Sequence, residues 1–268
     1  MPYIFQWPFH DHNSLSFRCA SKFTVAAVSL FGKLVTEIFN TTHVHNKQQL
    51  LDAIEHRESG RPLITVINHT SVLDDPGLHG VLPTRILVRN NHLMRWSVAA
   101  QDVCYKRSIF TWFFSRGRCV PVIRGVGVYQ RGIDFCIEKL NQGEWVHIFP
   151  EGYVNPDNTY RRLKWGVGRL VAECERSPLI VPMWHVGMDV VRPNKRPYYY
   201  FKAGKHVTLS IGDPIDLSSE VERLRSSNSS PMEARKTLTD IIEQRLLALK
   251  PEAEKLHQET LVRLNVKS

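Results

Sequence analysis

The chain lacks most of the features that assign an activity at a glance. Its five cysteines, at 19, 104, 119, 136 and 174, are odd in number and include no CxxC. That implies no disulfide framework, and unpaired thiols in or near the core are expected. The twelve histidines contain no HExxH, so no metal and no metal cofactor is expected. There is no GxSxG, which removes the nucleophile elbow of a serine hydrolase. Two glycine pairs, GVGVYQ at 125–130 and GVGRLV at 166–171, each lack the third glycine of a dinucleotide fingerprint. Both read as places where backbones pack closely. No repeat, low-complexity tract, zinc-finger or RNA-binding signature is present, so no nucleic-acid partner is expected.

What is present is a chain of 268 residues with 43% hydrophobic content and a formal net charge of +9. The length suits one large domain or two small ones. The charge favours negative partners, and lipid or phosphate comes ahead of nucleic acid because the basic residues are scattered. Residues 15–39, LSFRCASKFTVAAVSLFGKLVTEIF, are apolar but interrupted by Arg18, Lys22, Lys33 and Glu37. The uncharged part is far short of the ~20 residues of a spanning helix. The pattern suits a helix lying in a bilayer interface with cationic ends at the headgroups, or else an amphipathic helix packed on the domain. His10 and Asp11 precede the apolar run, unlike a secretory signal, and the start is not the Arg-rich, acid-poor segment of a cleaved presequence.

Periodicity predicts a helix over 46–58 capped by Asn46, with Leu50, Leu51 and Ile54 on one face. Strands are expected at LITVI (63–67), RILV (85–88), CVPVI (119–123), WVHIF (145–149) and LIVPMWHVG (179–187), with a final, more exposed one at HVTLSIG (206–212). Helices are expected over 98–115, over 127–143 with Gly143 as a stop signal, and over 165–177. Residues 219–264 read as charged helices broken near Pro231 and Pro251. This alternation predicts an α/β fold: a central, largely parallel or mixed sheet flanked by helices, with an N-terminal interfacial helix and C-terminal helices. The expected divisions are 1–44, a membrane-associating segment; 45–217, the main domain; and 218–268, a helical appendage.

The chemistry concentrates in NHTSVLDD at 68–75, directly after LITVI. On a regular helix, residues five apart lie about 140° apart, so a bond between His69 and Asp74 requires a distorted turn. Pro76 disfavours helix at Asp75, and Thr70 and Ser71 can bond local backbone. A neutral imidazole can take a proton from a hydroxyl that attacks a carbonyl, and a carboxylate on its other nitrogen fixes the tautomer. Ser71 is too close along the chain to be the nucleophile, so the attacking hydroxyl belongs to a substrate. The plain alternative is a polar turn with Asp75 as helix cap. Further on, FPEG at 149–152 ends a strand in Glu151 and Gly152, followed by Arg161, Arg162 and Lys164. RCVPVIRG ends another in Arg124, with Lys106, Arg107, Arg116 and Arg118 upstream. Such cations can hold a phosphate, and an acid beside them can orient a cation or a glycerol hydroxyl. His147 and His185 sit in apolar strands as expected core histidines. Trp165, Trp184 and the 198–201 aromatic run suit either packing or a headgroup layer.

NHTSVLD, an arginine after a strand, FPEG, and IVP at 180–182, in that order, resemble the four motif blocks of the glycerolipid acyltransferases. Runs such as LMRWSVAAQDVCY, EKLNQGEWVHIFPEG and RLKWGVGRLVAEC resemble the tafazzin family within them, over about residues 40–225. The resemblance implies interfacial enzymes of the mitochondrial membrane, facing the intermembrane space. They move acyl chains between phospholipids such as phosphatidylcholine and lysophospholipids without coenzyme A, and so remodel cardiolipin. It implies His69 and Asp74 as the catalytic pair, with Arg124, Glu151 and Gly152 in the blocks linked to the glycerophosphate part. One departure stands out: acyl-CoA-using relatives continue FPEG as FPEGTRS, whereas this chain has FPEGYVN, with Tyr153 and Asn155. Acyl-CoA-dependent transfer and a non-catalytic lipid-binding protein are the two rival readings.

Overall fold

A computed structural model describes residues 4–88, 93–194 and 200–264. In chain order its elements are helix α1 (Leu15–Lys33), continued by a π-helical turn to Ile38; strand β1 (Thr41–His45); helix α2 (Lys47–Glu55); strand β2 (Leu63–Ile67); helices α3 (Asp74–Gly80) and α4 (Thr84–Val88); strand β3 (Trp96–Ala100); helices α5 (Gln101–Cys104) and α6 (Ser108–Arg116); strand β4 (Cys119–Val122); helix α7 (Arg131–Asn141); strand β5 (Trp145–Ile148); helix α8 (Gly166–Glu173); strand β6 (Leu179–Val186); helix α9 (Met188–Val191); strands β7 (His206–Ile211) and β8 (Ile215–Asp216); and helices α10 (Ser218–Ser226) and α11 (Pro231–Arg263).

The strands form one sheet in the order β1-β7-β6-β2-β5-β3-β4, with β8 beside β6. From β6 to β4 every pairing is parallel, while β7 runs antiparallel to β6. The expected mixed, largely parallel sheet flanked by helices is therefore the fold. Its central strands carry unbroken apolar runs because both faces are covered. On one side α8 and α11 bring Val167, Leu170, Leu238 and Ile242 against Ile64, Val66 and Val146. On the other, α2 and α4 bring Leu50, Ile54 and Ile86 against Leu63 and Ile67. Each such side chain stabilises the fold by roughly 1.5–3 kcal/mol.

Several expectations are corrected. RILV is helical, with Ile86 and Leu87 buried. Residues 96–100 form β3, held by parallel pairing to β4 and β5, so the helix expected over 98–115 does not begin at 98. Strand β7 is buried over 207–211, not exposed, because α11 lies across it. Helix α11 starts at Pro231, capped by Ser230 accepting the Glu233 N–H at 3.2 Å, and runs unbroken through Pro251. Burial of Leu246 and Ala253 on either side of the proline offsets the lost hydrogen bond. Asn46 precedes α2 with φ +56° and makes no side-chain cap, donating instead to Ile211 O at 3.2 Å. The cysteines are free, with Cys136 and Cys174 buried.

Helix α1 is capped by Ser14, which accepts the Phe17 N–H at 3.2 Å. With its π-helical turn it spans Leu15–Ile38, 24 residues, long and apolar enough by length and composition to cross a bilayer. It lies on α3 through glycines: a Cβ on Gly32 would come within 2.1 Å of Pro76 O, and one on Gly80 within 2.6 Å of Gly32 O. The parallel strands end at one edge, so the residues after β2, β4, β5 and β6 converge there.

Candidate active site

Strand β2 delivers Asn68 and His69 to that edge, and the chain turns at 70–73 before α3 begins at Asp74. The distorted turn required by the sequence spacing is present, with His69 Nδ1 2.8 Å from Asp74 Oδ2. The same oxygen accepts the N–H groups of Thr70 at 2.7 Å and Ser71 at 2.9 Å. The expectation that Pro76 keeps Asp75 out of a helix is corrected. Pro76 sits in the first turn of α3, where its missing N–H has no partner to lose. Asp75 is not a cap; it accepts from Arg95 Nη2 and Ser97 Oγ, each at 2.6 Å, and ties α3 to β3.

A second histidine shares the carboxylate. His185, at the end of β6, lies 3.2 Å from Asp74 Oδ2 through Nε2. Asn68 locks it there: its side-chain oxygen accepts the His185 N–H at 2.9 Å and its amide donates to the His185 carbonyl at 3.0 Å. Asp74 is wholly buried. Burial pushes its carboxyl up, but the charges and hydrogen bonds of His185 and His69 outweigh this and hold it at about 2. It is a carboxylate at neutral pH. Burial pushes the His185 imidazole down, and Asp74 raises it above its ordinary value. His185 is a core histidine, as expected, yet also a partner of the site; the sequence signal was HVG at a strand end parallel to NHT. His147 is buried and bonds Thr65 Oγ1 at 2.7 Å.

With Nδ1 engaged, His69 presents Nε2. Its ring stacks on Phe149, centroids 4.0 Å apart, and lines a cavity of about 460 Å³ walled by Val28 and Phe31 of α1, Phe113 and Phe114 of α6, Val98 and Val103. Among the described residues no protein nucleophile is poised beside it. Ser71 Oγ donates to Arg192 O at 3.1 Å and is buried. Cys104, also in the wall, has its thiol pushed up to about 12 by burial and stays protonated.

The remaining expected residues fall into two roles. Glu151 follows β5 and is buried; its Oε1 accepts the His69 N–H at 2.9 Å and its Oε2 accepts from Asn155 at 2.7 Å. Asn155 N–H in turn donates to His69 O at 2.6 Å. Arg124 and Gly152 instead line both the His69 cavity and an adjoining one of about 640 Å³. Arg124 pairs with Asp102. Gly152, at φ +82°, makes the turn after FPE in a conformation that favours glycine. The glycine pairs differ from each other. Gly168 does pack closely, its Cβ position 2.2 Å from Arg235 O of α11. Gly125 and Gly127 do not; at φ +87° and +89° with open space around them, they turn a loop. Of the 198–201 aromatic run, Tyr198 and Tyr199 lie outside the described residues.

An acyltransferase family model matches residues 41–186. A tafazzin of Drosophila melanogaster is 45% identical over 261 residues, covering 97% of this chain and 68% of its own. The chain belongs to the tafazzin family of acyltransferases. An N-acylphosphatidylethanolamine synthase of Arabidopsis thaliana is 38% identical to this tafazzin-family chain over 198 residues, 72% of it and 69% of the relative. The crystal structure of the 1-acyl-sn-glycerophosphate acyltransferase PlsC of Thermotoga maritima shares the fold, with TM-score 0.58, 23% identity, and coverage of 86% of this chain and 81% of that one. The tafazzin-family chain is thus an acyltransferase by its sequence relatives, and its fold is shared with PlsC.

Proposed function

We propose that this acyltransferase is a CoA-independent phospholipid–lysophospholipid transacylase that remodels cardiolipin, with phosphatidylcholine among its acyl donors, at the surface of the mitochondrial membrane facing the intermembrane space. The observation that carries the chemistry is the His69–Asp74 pair at 2.8 Å, with no protein nucleophile poised at the cavity among the described residues. His69 Nε2 takes the proton of a lysophospholipid hydroxyl as its oxygen attacks the ester carbonyl of a neighbouring phospholipid. Asp74 stabilises the imidazolium. When the tetrahedral intermediate collapses, the old C–O bond breaks and the imidazolium returns its proton to the departing alkoxide. One ester is exchanged for another, so no activated donor is required. Val28, Phe31, Val98 and Phe113 offer an apolar wall to the acyl chain, while Arg124 and Gly152 face the glycerophosphate part.

Two helices support a lipid surface by being inside out. On α1 the buried residues are mostly small or polar, among them Ser21, Thr24, Ser29 and Gly32, while Leu15, Phe23 and Leu30 are exposed. On α6, Ile109, Phe110, Trp112 and Phe113 are exposed and only Ser115 is buried. Both helices wall the His69 cavity, and Arg18, Lys22, Lys106 and Arg107 flank their apolar faces as headgroup contacts. On this reading residues 1–44 are the membrane-associating segment, 45–217 the acyltransferase domain and 218–268 a helical appendage.

The test is mass spectrometry of purified protein with phosphatidylcholine and a lysophospholipid of distinct chains, without CoA, beside His69→Ala. Acyl exchange by wild type alone is expected. Exchange only after acyl-CoA is added would make the enzyme an acyl-CoA-dependent lysophospholipid acyltransferase.

A further inference from the structure

Between the FPEG turn and α8 the chain runs without helix or strand over residues 152–165. A segment of that length keeps one conformation only where groups outside it satisfy its hydrogen bonds. Two of the side chains that do so stand on α11. Glu243 Oε2 accepts the Leu163 N–H at 2.8 Å, and its Oε1 accepts the Tyr160 hydroxyl at 2.7 Å. Lys250 Nζ donates to Asn158 O at 2.9 Å. Seven positions apart on a helix, Glu243 and Lys250 lie about 20° apart around the axis. They share one face and grip the two ends of 158–163.

Helix α11 is itself fixed. Its backbone lies against Gly168 of α8, whose Cβ position is 2.2 Å from Arg235 O and 2.4 Å from Thr239 Oγ1. Leu238, Ile242 and Leu246 are buried along the same stretch. The Lys250 ammonium also lies 6.0 Å from the ring centroid of Trp184, the residue before His185 in β6.

From these anchors a short run of bonds reaches His69. Asn158, at φ +48°, turns the chain, and its N–H donates to Asn155 O at 3.0 Å. Asn155 Nδ2 donates to Thr159 O and to Glu151 Oε2, each at 2.7 Å. The Asn155 N–H donates to His69 O at 2.6 Å, and Glu151 Oε1 accepts the His69 N–H at 2.9 Å. Beyond Leu163, the Lys164 N–H donates to Pro150 O at 2.8 Å, beside Glu151. Without the two α11 side chains, Asn155 would be held only by the groups it serves to place.

We infer that Glu243 and Lys250 are positioning residues for acyl transfer: through residues 155–163 they fix the Asn155–Glu151 clamp on the main chain of His69. Neither lines the cavities at the sheet edge, so neither meets the substrate there. The C-terminal helix is thereby part of what sets the catalytic histidine. The inference rests on His69 as the base and holds for either acyl donor.

The experiment uses the full chain. Values of kcat and KM for a lysophospholipid acceptor are compared for wild type, Glu243→Ala, Glu243→Gln, Lys250→Met and the control Glu252→Ala, which removes an exposed charge from the same helix. Thermal midpoints are measured alongside, and rates are taken well below the lowest of them. Glu243→Ala is expected to lower kcat about tenfold or more with KM within about threefold. Glu243→Gln keeps an oxygen for the Leu163 N–H and should restore kcat to within about threefold of wild type. Lys250→Met keeps the apolar stem and should lower kcat about threefold or more, while the control keeps the wild-type rate. Amide exchange of Glu243→Ala should quicken over 153–165 and over 68–73, and not in α8. A KM rise at constant kcat, a loss that Glu243→Gln leaves unrepaired, or an unchanged kcat in both Glu243→Ala and Lys250→Met overturns the inference. With Glu243→Ala unfolded, an unchanged kcat in Lys250→Met overturns it alone. An active His69→Ala enzyme would overturn the base assignment while leaving the exchange result intact.

Discussion

The carboxylate of Glu151 receives the main-chain N–H of His69 at 2.9 Å, across 82 residues of sequence. With Asn155 donating to the His69 carbonyl at 2.6 Å, the backbone of the histidine is clamped from both sides. Both oxygens of the FPEG acid are engaged within the chain, and we propose that Glu151, expected from the sequence at the glycerophosphate part, also places the histidine.

Glu151→Gln keeps an oxygen for that N–H and is expected to retain most of the transfer rate. Glu151→Ala leaves a buried donor unpaired, at a cost on the order of 1–3 kcal/mol. Steady-state kinetics should show kcat down tenfold or more with KM nearly constant. A rise in KM at constant kcat would return Glu151 to substrate binding.

Asp74 sets the acid limb of stability. Its folded value of about 2 lies below the ordinary 3.8, so its contribution is fully present above the ordinary value and lost as pH falls through 2. The contribution is about 2 kcal/mol. Urea midpoints followed from pH 5 to pH 2 should fall more steeply in wild type than in Asp74→Asn. That variant is also expected to lose acyl transfer at neutral pH.

His185 acts in the opposite direction. Its folded value is raised above 6.5 because Asp74 outweighs burial, so its contribution is present below 6.5 and lost as pH rises through the folded value. His185→Gln keeps an N–H for Asp74 without a charge. Thermal midpoints of the variant should lose the decline on the alkaline side, and kcat should fall about tenfold or more through a less firmly held Asp74. An unchanged alkaline slope would remove His185 from the network's titration.

Helix α6 is expected to enter lipid. Ile109→Asp and Trp112→Asp place charges at positions 68% and 48% exposed, so the fold in solution should keep its thermal midpoint. Flotation with vesicles containing anionic lipid should drop markedly, since each large apolar side chain that enters the bilayer adds roughly 1.5–3 kcal/mol. Undiminished flotation would leave α1 as the contact.

The legible parts of the chain were those governed by local pattern. LITVI, WVHIF and LIVPMWHVG announced central strands because both faces of each are buried. His69 and Asp74 are legible because a five-residue separation brings the two side chains together only in a turn, whereas Pro76 misleads, since it lies in the first turn of α3. Strand β1, TTHVH, was not read, since an edge strand half open to solvent needs no apolar run. The 96–100 strand was hidden by its small residues, and RILV by being apolar and only four residues long. The engagements of Asp74 with His185, and of Glu151 with His69, depend on which strands lie side by side. No spacing in one sequence states that order.

The glycine contacts between α1 and α3 have a mechanical consequence. Gly32 meets the Pro76 carbonyl and Gly80 the Gly32 carbonyl, and the short Ser29 side chain bonds His79 Nδ1 at 3.0 Å, so little slack is left between the two helices. If α1 lies in the membrane interface as proposed, a tilt of α1 would be passed through these contacts to the helix that begins with Asp74.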